Sequence, residues 1–250
     1  MTRWIECLVE PRRLILAWRP PEHVLDRTHW AVGELKRALN GAEFRYFSGP
    51  EFATLNNARS TEQLREAGFR GYPAFAWSMD STEVFRNGAL GAFERRILSP
   101  HRLDFGAYLE RFHLRPDQNL SSFTLLSATG ASLPNDGFSL IDPLDGDVQE
   151  QDLILEVHDS RYHVKNAGVI EAGSPTVLVP EPGNPHDPFA VRVEVGGMLI
   201  GYVSRLQSRS VSQWLDRLAV EARLVRVNGS AAQPRAFIFV AIRARELQPA

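Results

Sequence analysis

Hydrophobic and polar residues alternate most regularly near the C-terminus, from residue 189 to residue 195. Four apolar residues fall on one side of the alternation, beginning with Phe189 and ending with Val195. A period of two is typical of a strand with one buried face. A second apolar stretch, residues 198–203, follows after Gly196-Gly197. We therefore predict two neighbouring strands in this region.

A polar segment rich in turn-forming residues leads into the first of these strands. Residues 181–188 read Glu-Pro-Gly-Asn-Pro-His-Asp-Pro. The three prolines restrict the backbone because each fixes its own φ angle. Asn184 and Asp187 favour hydrogen bonds from the side chain to nearby backbone. The sequence predicts a rigid polar loop at a strand end, which is a frequent location for a binding site.

The rest of the C-terminal half predicts further short strands and one helix. The predicted strands are residues 153–157, 176–179, 222–227 and 236–242. A helix from about Ser208 places Val211, Trp214, Leu215 and Leu218 on one stripe. Several short strands around a single helix favour a small, mostly β barrel.

The N-terminal half mixes paired strands with short helices. The expected elements are a strand pair at residues 4–9 and 14–18, helices at residues 105–112 and 121–130, and a closing strand at residues 138–141. Asn40-Gly41 lies between two alternating runs and predicts a hairpin. Asp104 is expected to cap the first helix, and Gly130 to end the second.

An acidic, turn-rich segment at residues 142–151 separates the two halves and is the best candidate for a linker. We therefore expect an α+β protein of two small domains, residues 1–143 and 152–250, joined by a linker at residues 144–151. A chain of 250 residues is long enough for each domain to have a core of its own.

Composition is that of an ordinary globular protein, with 44% apolar and 23% charged residues. There is no apolar run of about 18 residues and no signal-peptide pattern, so we expect a cytoplasmic protein. The single cysteine, Cys7, excludes an internal disulfide, and the histidines show no zinc-binding spacing. We expect no metal site and no cofactor.

Charge is distributed unevenly, although the net charge is only −2. Residues 205–245 contain eight arginines against Asp216 and Glu221. Such an excess can contact phosphates. A GC-rich genome, which encodes arginine in preference to lysine, explains it equally well. The low net charge argues against a protein that coats nucleic acid without specificity.

Sequence signals for catalysis are weak. The chain has no glycine-rich phosphate-binding loop and no Gly-x-Ser-x-Gly motif. The acidic residues at 142–151 lack the spacing of a calcium loop. Cys7 lies in an apolar stretch and is better explained as a core residue than as a nucleophile. We expect a protein that is not an enzyme.

The polar loop, the strands that follow it and an upstream segment together resemble the HIRAN domain family. The matching residues are Glu181-Pro-x-Asn184-Pro-x-Asp187-x-x-Ala190-Val191, Gly201-Tyr-Val-x-Arg205 and Arg161-Tyr162. HIRAN domains are small β-barrel-like modules, found alone or fused to DNA-repair and helicase enzymes. The best understood of them bind single-stranded DNA at a free 3′ end.

The resemblance implies a nucleic-acid-binding site of seven residues. They are Arg161, Tyr162, Asn184, His186, Asp187, Tyr202 and Arg205. The arginines would hold phosphates and the rings would stack on unpaired bases. Asp187 would accept a bond from a terminal 3′-hydroxyl or from a base edge, and His186 stands where the family commonly has tyrosine. The alternative is that Asn184 and Asp187 only close a turn and that the tyrosines are half-buried barrel residues.

Residues 28–143 resemble the N-terminal subdomain of HipA-family toxin kinases. The matching stretches are Val32-Gly-Glu-Leu35, Asn40-Gly-Ala-Glu-Phe-Arg-Tyr46, Phe93-Glu-Arg-Arg-Ile-Leu-Ser-Pro100, Ser122-Phe-Thr-Leu-Leu-Ser-Ala-Thr-Gly130 and Gly137-Phe-Ser-Leu-Ile141. Where that family continues into its kinase part, this chain continues into the HIRAN-like part, so no kinase activity is implied. The resemblance implies a HipS-like antitoxin or regulatory partner that docks on a HipA-like serine/threonine toxin kinase.

Two alternatives stay open for the N-terminal half. Tyr72, Phe75 and Trp77 are candidates for partner contact, although ordinary core positions explain them too. A rival hypothesis for the whole chain is an accessory protein that recruits a helicase or nuclease to DNA ends, without a toxin link.

Overall fold

The computed structural model describes residues 3–21, 29–133, 136–166, 170–230 and 233–245. They form an α+β protein with two separate sheets, as the sequence predicts. By its internal contacts the chain divides into an N-terminal unit, Glu10–Pro143, and a C-terminal unit, Met1–Val9 with Leu144–Ala250. Residues 3–9 therefore lie with the C-terminal unit, whereas the division expected from the sequence places them in the N-terminal domain.

Within the described residues, the N-terminal unit is an antiparallel sheet with short helices. Its elements are β1 (Arg13–Trp18), β2 (Trp30–Ala38), β3 (Gly41–Tyr46), α1 (Gly49–Leu55), α2 (Thr61–Glu66), β4 (Val84–Phe85), α3 (Ala89–Glu94), α4 (Phe105–Glu110), α5 (Ser122–Thr129) and β5 (Phe138–Ile141). The strand order is β4-β3-β2-β1-β5. The predicted Asn40-Gly41 hairpin is confirmed, since Ala38 pairs with Gly41 across the turn.

Two N-terminal elements differ from the prediction. Residues 4–9 form no strand. The helix expected over residues 105–112 ends at Glu110, and His113, with a left-handed φ of 59°, turns the chain away. By contrast, α5 ends at Gly130 as predicted, because this residue adopts a left-handed φ of 65°.

The loop of residues 71–77 belongs to an aromatic core. The Tyr46 hydroxyl holds it in place, accepting a hydrogen bond from the Tyr72 N–H (2.8 Å) and donating one to the Phe75 carbonyl (2.9 Å). Burial raises the pKa of Tyr46 to about 12. The hydroxyl is protonated at neutral pH and can donate this second bond.

This placement decides between the two explanations left open for Tyr72 and Phe75. Tyr72 is 5% exposed and Phe75 is 8% exposed, so the core explanation holds for both and neither side chain is available to a partner. Trp77 is half-buried, and its ring packs edge-on against Phe69 with 4.9 Å between the ring centroids. Of the three aromatic candidates, only Trp77 retains appreciable exposed surface.

The C-terminal unit is a curled half-barrel with one long helix. Its elements are β6 (Gln151–Val157), α6 (Ser160–His163), a 3-10 helix (Val164–Asn166), β7 (Pro175–Pro180), β8 (Val191–Val195), β9 (Met198–Tyr202), α7 (Arg205–Arg217), β10 (Leu218–Ser230) and β11 (Gln233–Ala244). The strand order is β6-β11-β10-β7-β8-β9. Val211 and Trp214 of α7 pack into the apolar core of the unit. None of the helices in the described part of the chain has the length and apolar character needed to cross a membrane.

Two backbone hydrogen bonds join the outer strands β6 and β9 at one end of the sheet. His158, just after β6, and Tyr202, at the end of β9, exchange N–H···O bonds of 2.8 and 3.0 Å. Gly201 allows this approach, because a Cβ at this position would lie 2.2 Å from the His158 carbonyl oxygen. The Gly-Tyr pair therefore curls the sheet towards a barrel.

A buried carboxylate explains why residues 3–9 form no strand and lie with the C-terminal unit. Asp152 accepts hydrogen bonds from the backbone N–H groups of Glu6 (3.0 Å) and Cys7 (3.1 Å) through Oδ2. Its Oδ1 lies 2.8 Å from the guanidinium of Arg243, which balances the buried charge. In a β ladder, successive backbone N–H groups point in opposite directions. The N–H groups of Glu6 and Cys7 point at the same oxygen, so these two residues cannot be part of a ladder.

We predict that Gly201→Ala destabilises the C-terminal unit by about 3 kcal/mol or more, because the added Cβ must displace backbone. Gly196→Ala is the matched control. It also has a positive φ, 58°, but open space around the Cβ position, so only about 1–2 kcal/mol of left-handed strain is expected. Urea unfolding, together with hydrogen exchange at the amides of His158 and Tyr202, measures both variants. Equal losses of stability in the two variants would contradict the close approach of Gly201 to the His158 backbone.

Candidate functional site

The loop between β7 and β8, residues 181–190, is organised by one amide side chain, and we call it the Asn184 loop. Asn184 Oδ1 accepts hydrogen bonds from the backbone N–H groups of His186 (2.9 Å) and Asp187 (3.3 Å). Its Nδ2 donates to Glu181 Oε2 at 2.6 Å. The Glu181 N–H donates to the Ala190 carbonyl at 2.8 Å and closes the base of the loop. The predicted polar loop at a strand end is confirmed, and hydrogen bonds hold it internally.

Asp187 ties the Asn184 loop to α7. Its Oδ1 accepts the N–H of Phe189 at 2.9 Å, and its Oδ2 accepts the hydroxyl of Ser208 at 2.6 Å. Ser208 is 1% exposed, so the second bond is shielded from water. The turn-closing alternative for Asn184 and Asp187 therefore describes their hydrogen bonds correctly, and any ligand contact by Asp187 uses the lone pairs that remain.

Arg205 begins α7 beside this carboxylate. Its side chain is exposed at the surface. Partial desolvation lowers the pKa of Arg205, and the attraction of Asp187 opposes the shift. A guanidinium starts from so high a pKa that it stays cationic at neutral pH. The site therefore keeps a positive charge next to the loop.

Tyr202 lies between the Asn184 loop and α6. Its ring is half-buried, 6.1 Å from the ring of His163 and roughly perpendicular to it. Desolvation raises the pKa of Tyr202, and the nearby carboxylate of Glu181 adds to the shift. Arg192, its register partner on β8, opposes the shift and lies 3.6 Å from Glu181. Tyr202 thus connects the two polar regions of the site.

Helix α6 presents Arg161 and Tyr162 at the surface. Ser160 anchors the helix, because its buried hydroxyl donates to the Pro234 carbonyl at 3.0 Å. Tyr162 is 58% exposed. The guanidinium carbon of Arg161 lies 4.4 Å from the centroid of the Tyr162 ring, and the guanidinium also donates to its hydroxyl. This pair joins a cation to an exposed aromatic ring.

The structure brings the predicted site residues into one region of the C-terminal unit. Tyr202 contacts His163 of α6 and interacts with Glu181 at the base of the Asn184 loop, and Asp187 joins this loop to α7. Sequence reasoning missed Ser208, for which no sequence signal exists, and also placed Phe189 on the buried face of a strand. Instead, β8 begins at Val191, and Phe189 is 38% exposed with Arg209 beside it.

The chemistry of this surface suits a ligand that combines negative charge with flat rings. It offers guanidinium groups for anions and aromatic rings for stacking. In the part of the chain that the structure describes, no group of three or more His, Cys, Asp and Glu side chains is arranged to hold a metal ion. The surface therefore offers chemistry for binding a charged, ring-bearing ligand.

Comparison with known proteins gives a family for the C-terminal unit. Residues 151–242 match the model of the HIRAN domain. The HIRAN domain of human HLTF is similar, with 19% identity over 38% of this chain and 77% of that chain and a TM-score of 0.33. A protein from Lactobacillus plantarum is also similar, with 17% identity over 38% of this chain and 99% of that chain and a TM-score of 0.31. None of the curated proteins compared with the chain matches it.

The HIRAN resemblance is thereby confirmed for the C-terminal half, which carries a HIRAN domain at residues 151–242. The matched range contains Arg161, Tyr162, the Asn184 loop, Tyr202 and Arg205. It contains none of the residues on which the HipA resemblance rests, and these comparisons give that resemblance no support.

We predict that Asn184→Ala loosens the Asn184 loop, because three hydrogen bonds of about 1 kcal/mol each are lost. Hydrogen exchange at the amides of His186 and Asp187 should become faster, with a smaller effect on the barrel strands. His186→Ala is the control, since its side chain is exposed and the bonds that hold the loop use only its backbone. Unchanged exchange in Asn184→Ala would show that another group holds the loop.

Proposed function

We propose that the HIRAN domain binds single-stranded DNA at a strand end and that the protein does not itself catalyse a reaction. A HIRAN domain implies DNA binding, which supports the first part. The observation that carries the proposal is the contact of the Arg161 guanidinium with the exposed ring of Tyr162. This role requires the protein to recognise and position DNA, and it requires no catalytic group.

Phosphates would be attracted first by the two predicted arginines. In the described part of the chain no carboxylate pairs with Arg161, whose guanidinium instead lies against Tyr162. Arg205 adds a second cation at the start of α7. Arginine suits this role because its planar fork can donate two parallel bonds to one phosphate.

Unpaired bases would stack on the exposed rings. The Tyr162 ring is more than half exposed, and His186 projects from a loop whose backbone is already fixed. Stacking contributes about 1–3 kcal/mol per base and tolerates any sequence, because every base has a flat face. Histidine offers a smaller surface than tyrosine, so His186 should contribute less than Tyr162.

A free 3′-hydroxyl would be recognised by Asp187. Each of its oxygens accepts one internal bond, which leaves acceptor capacity for a ligand hydroxyl. A carboxylate repels a phosphate, so a strand that ends in a hydroxyl should bind better than one that ends in a phosphate. The internal bonds fix the position of the carboxylate before the ligand arrives.

A finer hypothesis concerns the protein partner. The resemblance of the N-terminal half motivates docking on a HipA-like toxin kinase, with the chain acting as antitoxin or regulatory subunit. An accessory protein that brings a helicase or nuclease to DNA ends is the alternative, and the HIRAN domain is compatible with either. Trp77 is the remaining partner candidate from the aromatic loop, because Tyr72 and Phe75 are buried.

We predict that 5′-labelled single strands bind the full chain and bind more weakly when the 3′ end carries a phosphate, by about ten-fold for one lost charged hydrogen bond.

Tyr162→Leu should weaken binding about five-fold or more. Arg161→Gln should lower the slope of log affinity against log salt by about 0.7, with Arg217→Gln as the charge-matched control.

Fluorescence anisotropy at several salt concentrations measures all of these values, and circular dichroism shows whether each variant is folded. Equal affinity of wild type, Tyr162→Leu and Arg161→Gln would exclude the proposed surface. Equal affinity for hydroxyl and phosphate ends would exclude end recognition and leave general single-strand binding.

We predict for the partner hypothesis that affinity purification of the full chain from its own host recovers a serine/threonine kinase. Trp77→Ala should reduce the recovery, and Tyr162→Leu, in the other unit, should not. Recovery of a helicase or nuclease in place of a kinase would favour the alternative. Recovery of none of these enzymes would contradict both.

A further inference from the structure

A second cation and aromatic ring meet where the Asn184 loop contacts α7. Phe189 is 38% exposed although it is a large apolar residue. The guanidinium carbon of Arg209, on α7, lies 5.1 Å from the centroid of its ring. The seven residues predicted from the sequence do not include either one. Like Arg161 and Tyr162, the pair combines a guanidinium group with an aromatic ring.

One carboxylate positions both members of this pair. Asp187 Oδ1 accepts the N–H of Phe189 at 2.9 Å, and Asp187 Oδ2 accepts the hydroxyl of Ser208, the neighbour of Arg209, at 2.6 Å. The loop and the first turns of α7 are therefore held together at this point. A pre-positioned pair loses less entropy when a ligand binds.

The charge of Arg209 is available to an anion. Among the described residues no carboxylate pairs with Arg209, whereas Arg192 in the same unit lies within 3.6 Å of both Glu181 and Glu194. Arg205 and Arg209 are four residues apart in α7, which places them on one face about 6 Å apart along the axis. Two cations in a row fit successive phosphates of one strand.

We propose that Phe189 and Arg209, with Arg205, form an additional subsite that holds the interior nucleotides of a single strand. This inference rests on the proposed function. The strand end occupies the surface between α6 and the Asn184 loop, and the chain of nucleotides continues past Phe189 along the first turns of α7. Arg205 and Arg209 hold successive phosphates, and a base stacks on the Phe189–Arg209 pair.

An acidic peptide is the competing occupant, since it also carries regularly spaced negative charge. A peptide of Asp and Glu alone has no flat rings, so it gains from the arginines and gains no stacking on Phe189. The exposed phenylalanine favours nucleic acid, because a ring exposed beside a cation adds stacking to charge attraction. The test therefore separates the contribution of the ring from that of the charge.

The experiment compares 5′-labelled single strands of about four and about twelve nucleotides, both with 3′-hydroxyl ends. The proteins are full-length wild type, Phe189→Leu, Phe189→Tyr, Arg209→Gln and the control Arg217→Gln, which removes the same charge from the last turn of α7. Affinity is measured by anisotropy over a series of salt concentrations, and thermal unfolding shows that each variant is folded.

The expected result depends on strand length. Phe189→Leu and Arg209→Gln should weaken binding of the long strand about five-fold or more and leave the short strand unchanged. Arg209→Gln should also lower the salt slope for the long strand by about 0.7. Phe189→Tyr, which keeps a ring, and Arg217→Gln should bind both strands like wild type.

Wild-type affinity for the long strand in both Phe189→Leu and Arg209→Gln would overturn the subsite, even if Tyr162→Leu still weakened binding. Equal loss for short and long strands would overturn the assignment to interior nucleotides. Stronger Arg209-dependent binding of a poly-glutamate peptide, with no effect of Phe189→Leu, would assign the surface to acidic peptides. Failure of wild type to bind either strand would remove the proposed function together with this subsite.

Discussion

The backbone pair between His158 and Tyr202 is the contact on which the C-terminal unit depends. Two hydrogen bonds join the outer strands of an otherwise open sheet, and they form because Gly201 has no side chain to keep the backbones apart. The same pair positions the site, since α6 begins two residues after His158 and α7 begins three residues after Tyr202. Closure of the sheet therefore also places α6 beside Tyr202.

A small set of polar side chains then fixes the loop beside this closure. Asn184 supplies an acceptor for two backbone groups, and Asp187 links the loop to Ser208 on α7. These bonds make the loop rigid without using its exposed rings or the nearby guanidinium groups. Within this short segment, some atoms hold the loop in place and other atoms are left to bind a ligand. Turn closure and ligand binding are therefore compatible explanations for the same residues.

Local patterns predicted the elements whose causes are local. Period-two alternation located β8, Asn40-Gly41 located a hairpin, and Gly130 ended α5 because left-handed backbone favours glycine. The differences between the predicted and the observed elements arise from contacts between residues that are far apart in the sequence. In the predicted strand at residues 4–9, the N–H groups of Glu6 and Cys7 bind the carboxylate of Asp152, which is far away in sequence. The burial of the loop at residues 71–77 depends on the hydroxyl of Tyr46, which no local pattern reveals.

The sequence by itself determined the α+β class, the strands of the half-barrel, the rigid loop and the residue types of the candidate surface. Each of these follows from spacing within one short segment or from the order of residues in a motif. Only the tertiary structure decided that Phe189 leaves the strand and meets Arg209, that Ser208 holds Asp187, and that Tyr202 joins the two sides of the site. These contacts join segments that are separated in the sequence and meet only in the folded chain, so their geometry is a property of the packed chain.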